Sequence, residues 1–364
     1  MTDNKNIKKH KRLKKEYIYR RRRATALLIL ILVIVAITVS VVSCSKREEK
    51  QPDDTPVNLP VEDNTNISLP EEPEKELFSI NFNKSPQNFS TDDVNSKYAI
   101  LVDADTGEVI AHRSGNAKIY PASMTKVMTL LVAVENINNF NDTFEMKYEI
   151  IKPLMDADAT RAGFKEGEDV KIIDLLYGLI LPSGGDCAIG LAEYVSGSEK
   201  EFVVLMNKKC EELGLKNTHF SNTSGLHSED NYSTPADIAV IMKYAMENPI
   251  CREVLSTYKY TTEKTEQNPE GIELFSTMFS RMYGNEVEGV DIKAGKTGYT
   301  YEAGNCLVSY ATKGEHNYIV VLADGDSKWK SIYDTFAIYE KYTPADIKTD
   351  ISSGVSIDET NNIP

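Results

Sequence analysis

Residues 24–43 read ATALLILILVIVAITVSVVS, an uncharged run directly after Arg20-Arg21-Arg22-Arg23. No other feature limits so strongly how the 364-residue chain can fold. At about 1.5 Å per residue, a helix of roughly 20 apolar residues spans the ~30 Å core of a bilayer. The run has no polar face, so a helix buried in a water-soluble core does not account for it. The basic segment 1–23 is expected to stay in the cytoplasm, which sends everything after residue 44 outside.

Val41-Val42-Ser43-Cys44 offers a second form of tether. It resembles the cleavage box of bacterial lipoproteins, in which the cysteine is lipidated and becomes the new N-terminus. The resemblance implies lipidation at Cys44; the long apolar run and its basic flank imply an uncleaved anchor. In both forms the chain is held at a bacterial cell membrane by its N-terminal end and faces outward. Charge agrees with that placement. Residues 1–44 hold 11 Lys/Arg against 2 Asp/Glu, so the whole-chain value of −14 leaves −23 for residues 45–364. So acidic a portion will not hold a phosphate backbone by counterion release, and no nucleic acid partner is expected. Cys187, Cys210, Cys251 and Cys306 allow two bridges in any of three pairings, and they equally fit ordinary buried thiols. Their spacing marks no zinc site. His219, His227 and His316 are scattered without ligand spacing, so no metal and no cofactor is implied.

Residues 45–93 are rich in Pro, Asp, Glu and Asn, too polar to offset their ordering entropy by burial, and read as a disordered stalk. A folded domain is expected over 94–345, with a tail over 346–364. Tyr98–Asp103 and Glu108–His112 flank the turn Asp105-Thr106-Gly107 as a hairpin. Helices are expected over 122–135, on either side of Pro182-Ser183-Gly184-Gly185, near Glu201–Leu213, after the cap Thr234-Pro235, and over 327–341. The stretch up to residue 168 looks irregular. Extended segments fall around Lys296–Tyr299, Cys306–Ala311 and Tyr318–Ala323. Strands at both ends with helices between suggest one sheet built from the two ends of an α+β domain.

Within this frame, PASMTKVMT (121–129) sets Ser123 three residues before Lys126. The S-x-x-K spacing alone is weak, because it recurs at Ser43/Lys46, Ser256/Lys259 and Ser327/Lys330. Three features single out Ser123. Pro121 and Ala122 place it at a helix start, where free N–H groups favour developing negative charge. Lys126 lies on the same helix face. Two companions follow in order, Ser183-Gly184-Gly185 between helices and Lys296-Thr297-Gly298 on a late strand.

That ordered set resembles the serine D-alanyl-D-alanine carboxypeptidases, the low-molecular-mass penicillin-binding proteins of peptidase family S11. The resemblance runs from about Tyr98 to Tyr342. It is carried by ILVDADTGEVI, PASMTKVMT, DLLYGLILPSGGDCA, ELGLKNTHFSNTSGLH, YSTPADIAVI and KAGKTGYTYEAGNCLVS. It implies a three-layer sandwich like that of β-lactamases, an antiparallel sheet flanked by helices with a helical lobe. The chain departs from the family in one motif: Gly185 stands where an Asn usually helps hold the substrate backbone and the catalytic lysine.

The resemblance implies the following chemistry. Lys126, made neutral by burial and by repulsion from Lys296, takes the proton of Ser123 Oγ. The hydroxyl attacks the bond between two D-alanines of a peptidoglycan stem peptide, with Ser183 passing a proton toward the leaving amine. The oxyanion is received by the backbone N–H groups of Ser123 and Tyr299. Lys296 and Thr297 suit the substrate carboxylate, and Gly298 leaves room for the substrate along the strand. Gly185 is the remaining position at the substrate, and β-lactam antibiotics should acylate Ser123. His227 is expected to shape its loop. Three rival readings share these residues: a D,D-endopeptidase on cross-links, a non-catalytic wall-binding protein, and a β-lactamase. The last needs an added Glu, and Glu212, the nearest approach, lies inside the carboxypeptidase-like block ELGLKNTHF.

Overall fold

Residues Tyr98–Val102 and Tyr318–Ala323 are apolar at nearly every position, the pattern of strands covered on both faces. A computed structural model bears this out; it describes residues 77–82, 84–284 and 287–344. The run 24–43, Cys44 and the tail 346–364 lie outside the described residues. Among the described residues no helix is long and apolar enough to cross a membrane.

The main sheet has six strands: β1 (Gln87–Asn88), β2 (Tyr98–Asp103), β3 (Val109–Arg113), β8 (Val290–Thr300), β9 (Gly304–Lys313) and β10 (His316–Gly325), in the order β1-β3-β2-β10-β9-β8. The two chain ends meet at its centre, where Leu101 pairs with Val320 and Ile100 with Val321. All pairings are antiparallel except β1 with β3, which is parallel, a departure from the wholly antiparallel sheet expected.

Alternation along β2 and β10 divides the core in two. Ala99, Leu101, Val320 and Leu322 face a helix at the C-terminal end, α9 (Lys328–Tyr342), through Ile338 and Tyr339. Ile100, Val102, Ile319 and Val321 face the helical lobe. Its centre is α1 (Thr125–Asn136), in which every residue from Thr125 to Val134 is buried. The apolar face of Val127, Leu130, Leu131 and Val134 is therefore only part of a helix enclosed all round. Around it stand α3 (Ile172–Ile180), α4 (Gly185–Ser196), α5 (Glu199–Glu212), α6 (Pro235–Glu247) and α7 (Pro249–Ser256). The cap read at Thr234 forms, its hydroxyl accepting the Asp237 N–H at 3.0 Å.

Two elements were hidden in the sequence. The irregular stretch before residue 168 contains strand β4 (Thr143–Glu145) and helix α2 (Tyr148–Asp156), the latter disguised by Pro153 inside it. Strand β4 pairs with β5 (Asp169–Lys171), and a second small hairpin joins β6 (Lys259–Thr261) to β7 (Glu273–Phe275). A short helix, α8 (Phe279–Met282), precedes β8.

The stalk expected up to residue 93 gives way sooner. Phe89 and Val94 are buried, Phe78, Ile80 and Phe82 pack on the lobe, and the Asp334 carboxylate accepts the N–H groups of Asn95 and Ser96 at 2.9 and 2.7 Å. Five aromatic or aliphatic side chains spaced through 78–94 supply the burial that the polar composition concealed.

Candidate active site

Ser123 sits in a 3-10 turn, Ala122–Met124, that leads into α1. Ala122 is left-handed at φ 46°, which throws the turn toward the sheet. Lys126 Nζ lies 3.1 Å from Ser123 Oγ, as the i, i+3 spacing predicts. The amine also donates to the Ser224 carbonyl at 2.5 Å. The loop 222–227 makes that contact: Asn222 Oδ1 accepts the Gly225 N–H at 2.7 Å, and Asn222 Nδ2 donates to the Leu226 carbonyl. Gly225, at φ 80°, must be glycine, because a Cβ would lie 1.9 Å from the Ala122 carbonyl oxygen. The block SNTSGLH therefore cradles both the serine turn and the lysine. Asn222, Ser224 and Gly225 shape this loop, whereas His227 packs edge-on against Tyr120 at 4.7 Å.

Lys126 is 3 % exposed, and burial pushes its pKa down to about 8. The nearby Asp186 and Cys187 oppose that shift. Lys296, 1 % exposed, is held well below the ordinary lysine range by burial first, then by Lys126 and Arg281. Burial is the first cause of both shifts, and repulsion between the two neighbouring amines adds to it.

Ser183 joins α3 to α4 in a left-handed conformation, φ 69°, and is nearly buried. Gly184 has no room for a side chain, since a Cβ would meet Asp186 Oδ1 at 2.6 Å and the Gly178 carbonyl at 2.8 Å. Gly185 opens α4 directly after this turn. Its N–H is already bound to the Thr160 carbonyl at 2.8 Å, and a Cβ there would point at Leu154 and Thr160.

Gly298 also leaves no room for a side chain. A Cβ there would lie 2.9 Å from Ser123 N and 3.2 Å from the Pro121 carbonyl. The glycine lets edge strand β8 approach the serine turn itself. Tyr299 follows on the same edge, 62 % exposed. Lys296 Nζ donates to the Thr297 carbonyl at 2.9 Å, and Thr297 Oγ1 shares a proton with Thr277 Oγ1 at 2.7 Å.

The lookalike pairs that fall within the described residues separate on geometry. Ser256 ends α7 while Lys259 opens β6, and Ser327 caps α9 by accepting the N–H of Lys330. All four described cysteines are free and buried, so neither bridge of the disulfide alternative forms. Among the described residues no group of three His, Cys, Asp or Glu side chains is gathered to hold a metal ion.

Sequence reasoning passed over Asp186. Its carboxylate is buried at the start of α4 and accepts N–H groups from Ala162, Gly163 and Cys187, pinning the loop before α3 to the Ser183 turn. An acid in the first turn of a helix, directly after Ser-Gly-Gly, was the available signal.

A serine beside a buried lysine, a serine turn and a K-T-G edge strand around one sheet define a class: serine acyl-transfer proteins of the DD-peptidase and β-lactamase fold. Within that class the chain belongs to the D-alanyl-D-alanine carboxypeptidase family, peptidase S11, whose description matches residues 84–327. It is 35 % identical over 228 residues to D-alanyl-D-alanine carboxypeptidase DacF of Bacillus subtilis, covering 62 % of this chain and 57 % of that protein. It is 31 % identical over 239 residues to DacD of Escherichia coli, covering 63 % and 58 %. The chain thus spans less than two thirds of the length of these relatives. Among solved structures, the Streptomyces K15 DD-transpeptidase superposes with a TM-score of 0.63 at 28 % identity, covering 68 % of this chain and 96 % of that one.

Proposed function

We propose that the protein is a serine D-alanyl-D-alanine carboxypeptidase held at the outer face of a bacterial cell membrane, by residues 24–43 or by a lipid on Cys44. It removes the terminal D-alanine from peptidoglycan stem pentapeptides and is acylated by β-lactam antibiotics. The observation that carries this reading is the buried amine of Lys126, 3.1 Å from Ser123 Oγ, with its pKa lowered to about 8.

The neutral amine takes the proton of Ser123 Oγ as the oxygen bonds to the penultimate D-Ala carbonyl carbon. The resulting oxyanion is received by the N–H groups of Ser123 and Tyr299. The C–N bond then breaks, and the leaving amine of D-alanine takes up the proton through Ser183. Water attacks the ester, with Lys126 accepting its proton, and regenerates Ser123. Substrate lies along β8, the last strand in the sheet order, whose outer edge suits addition of an extended peptide. A β-lactam presents the same electrophilic carbonyl to the same hydroxyl.

The test is to incubate the full-length chain with a pentapeptide ending in D-Ala-D-Ala and measure freed D-alanine. Release that disappears in Ser123→Ala supports the reading. An intact wild-type chain that frees none, or a Ser123→Ala variant that frees it at the wild-type rate, overturns it.

A further inference from the structure

Strand β8 runs into a turn, 301–303, that carries Tyr301 and Glu302. The Ala303 N–H ties this turn back to the strand by donating to Thr300 Oγ1 at 3.1 Å. Glu302 reaches from it toward the loop 222–227, and its Oε2 lies 3.8 Å from His227 Nδ1. The His227 ring stands edge-on to Tyr120 at 4.7 Å, and Tyr120 lies three residues before Ser123. Glu302 therefore stands where the end of β8 meets the loop that holds the Lys126 amine. Tyr299 and Tyr301, on either side of Thr300, are both exposed.

The direction of the substrate leads to this place. Its terminal carboxylate belongs at Lys296 and Thr297, and its scissile carbonyl between the N–H groups of Ser123 and Tyr299. The stem peptide then runs along β8 from Lys296 toward Thr300. At about 3.3 Å per residue, the residue before the two D-alanines falls opposite Thr300 and Tyr301, within a long side chain's reach of Glu302. The Glu302 carboxylate is partly exposed, and among the described residues no hydrogen bond and no lysine or arginine holds it. Lys118, the other cation beside Tyr120, is drawn over the Tyr232 ring at 4.2 Å instead. An unshared carboxylate flanked in the chain by exposed tyrosine rings suits an ammonium group, which gains from the charge and from the ring faces alike.

We propose that Glu302 is a specificity residue that receives a side-chain ammonium on the residue preceding the two D-alanines. This assignment rests on the carboxypeptidase reading and deepens it by naming the substrate class: stem peptides whose side-chain amine is still free. An amine already capped as an amide, as in a cross-link, carries no charge and gains nothing from Glu302. Trimming therefore falls first on stems that have not been joined through that amine.

The experiment uses the full-length chain, Glu302→Gln and Glu302→Lys, with two peptides ending in Lys-D-Ala-D-Ala, one with its lysine amine free and one with it acetylated. Wild type should turn over the free amine faster, and the ratio should shrink between about 0.01 M and about 1 M salt as screening tightens. Glu302→Gln should lower kcat/KM on the free-amine peptide roughly 3- to 10-fold more than on the acetylated one, chiefly through KM. Glu302→Lys should reverse the preference. Equal turnover of the two peptides by wild type, equal losses on both in Glu302→Gln, or a Glu302→Lys chain that still favours the free amine overturns the assignment while leaving the carboxypeptidase reading in place. Should neither variant fold, wild type decides alone: a preference that salt does not weaken overturns the assignment. A wild-type chain that frees D-alanine from neither peptide overturns the carboxypeptidase reading itself, and this assignment with it.

Discussion

The rate at which Ser123 is acylated should follow the deprotonation of Lys126. With a pKa of about 8 instead of the ordinary 10.5, the amine is neutral in about one molecule in ten at pH 7. At the ordinary value it would be neutral in about one in 3,000, so burial raises the reactive fraction roughly 300-fold. The second-order rate of acylation by a fluorescent penicillin, measured by rapid quench from pH 6 to 9, should rise about tenfold per pH unit at first. It should level off above pH 8, for a total near 100-fold. The midpoint belongs to the Lys126–Lys296 pair, since both buried amines titrate against each other. Asp186→Asn removes a charge that holds the Lys126 pKa up, so the midpoint should move to lower pH. Stability moves with the same shift. Between about pH 8 and 10.5 the unfolded chain binds the proton that folded Lys126 has released, so stability rises with pH across that window, by about 3 kcal/mol. Below pH 8 the buried charge is a standing cost. Lys126→Met relieves it but leaves the Ser224 carbonyl without its donor, a loss of about 1–3 kcal/mol. The variant should therefore melt within a few degrees of wild type at pH 7 while losing acylation by roughly a thousandfold. A flat profile from pH 6 to 9, or a midpoint near 10, would refute the assignment of Lys126 as the base.

Other outcomes follow from single contacts. Gly298→Ala forces a Cβ to 2.9 Å from Ser123 N, so acylation should drop at least 10-fold while circular dichroism stays unchanged. Ser327→Ala removes the cap of α9 and should cost about 1 kcal/mol in denaturant unfolding without touching acylation, which separates this S-x-x-K pair from the reactive one. Asp334→Asn weakens the bonds to Asn95 and Ser96 and should cost about 2 kcal/mol, read as a lower melting temperature.

The parts of the fold that could be read from sequence were those in which local and tertiary demands agree. Apolar runs at 98–102 and 318–323 announce strands covered on both faces, and Thr234-Pro235 announces a helix start. Helix α2 escaped because Pro153 argues locally against what packing of Ile150, Ile151 and Leu154 enforces. The boundary at residue 93 erred because Phe78, Ile80, Phe82 and Phe89 are dispersed among polar residues, and only the finished lobe and sheet gather them. At the site, Ser123, Lys126 and the K-T-G strand were legible because their chemistry needs fixed spacing. The close approach of Gly298 to the Ser123 backbone was not legible, since the two lie some 175 residues apart in sequence. Thr277 escaped because its partners, Leu181 and Thr297, belong to other segments.

Because β2 is flanked on one side by β10, the first long strand waits for a mate made more than 200 residues later. A ribosome delivers the nucleophile early and the edge that must face it late. Helices of the lobe can collapse meanwhile, but closure is slow for so non-local a pairing. Synthesis interrupted before residue 290 leaves Ser123 with no strand to oppose it, so the chain stays chemically silent until its sheet is nearly complete.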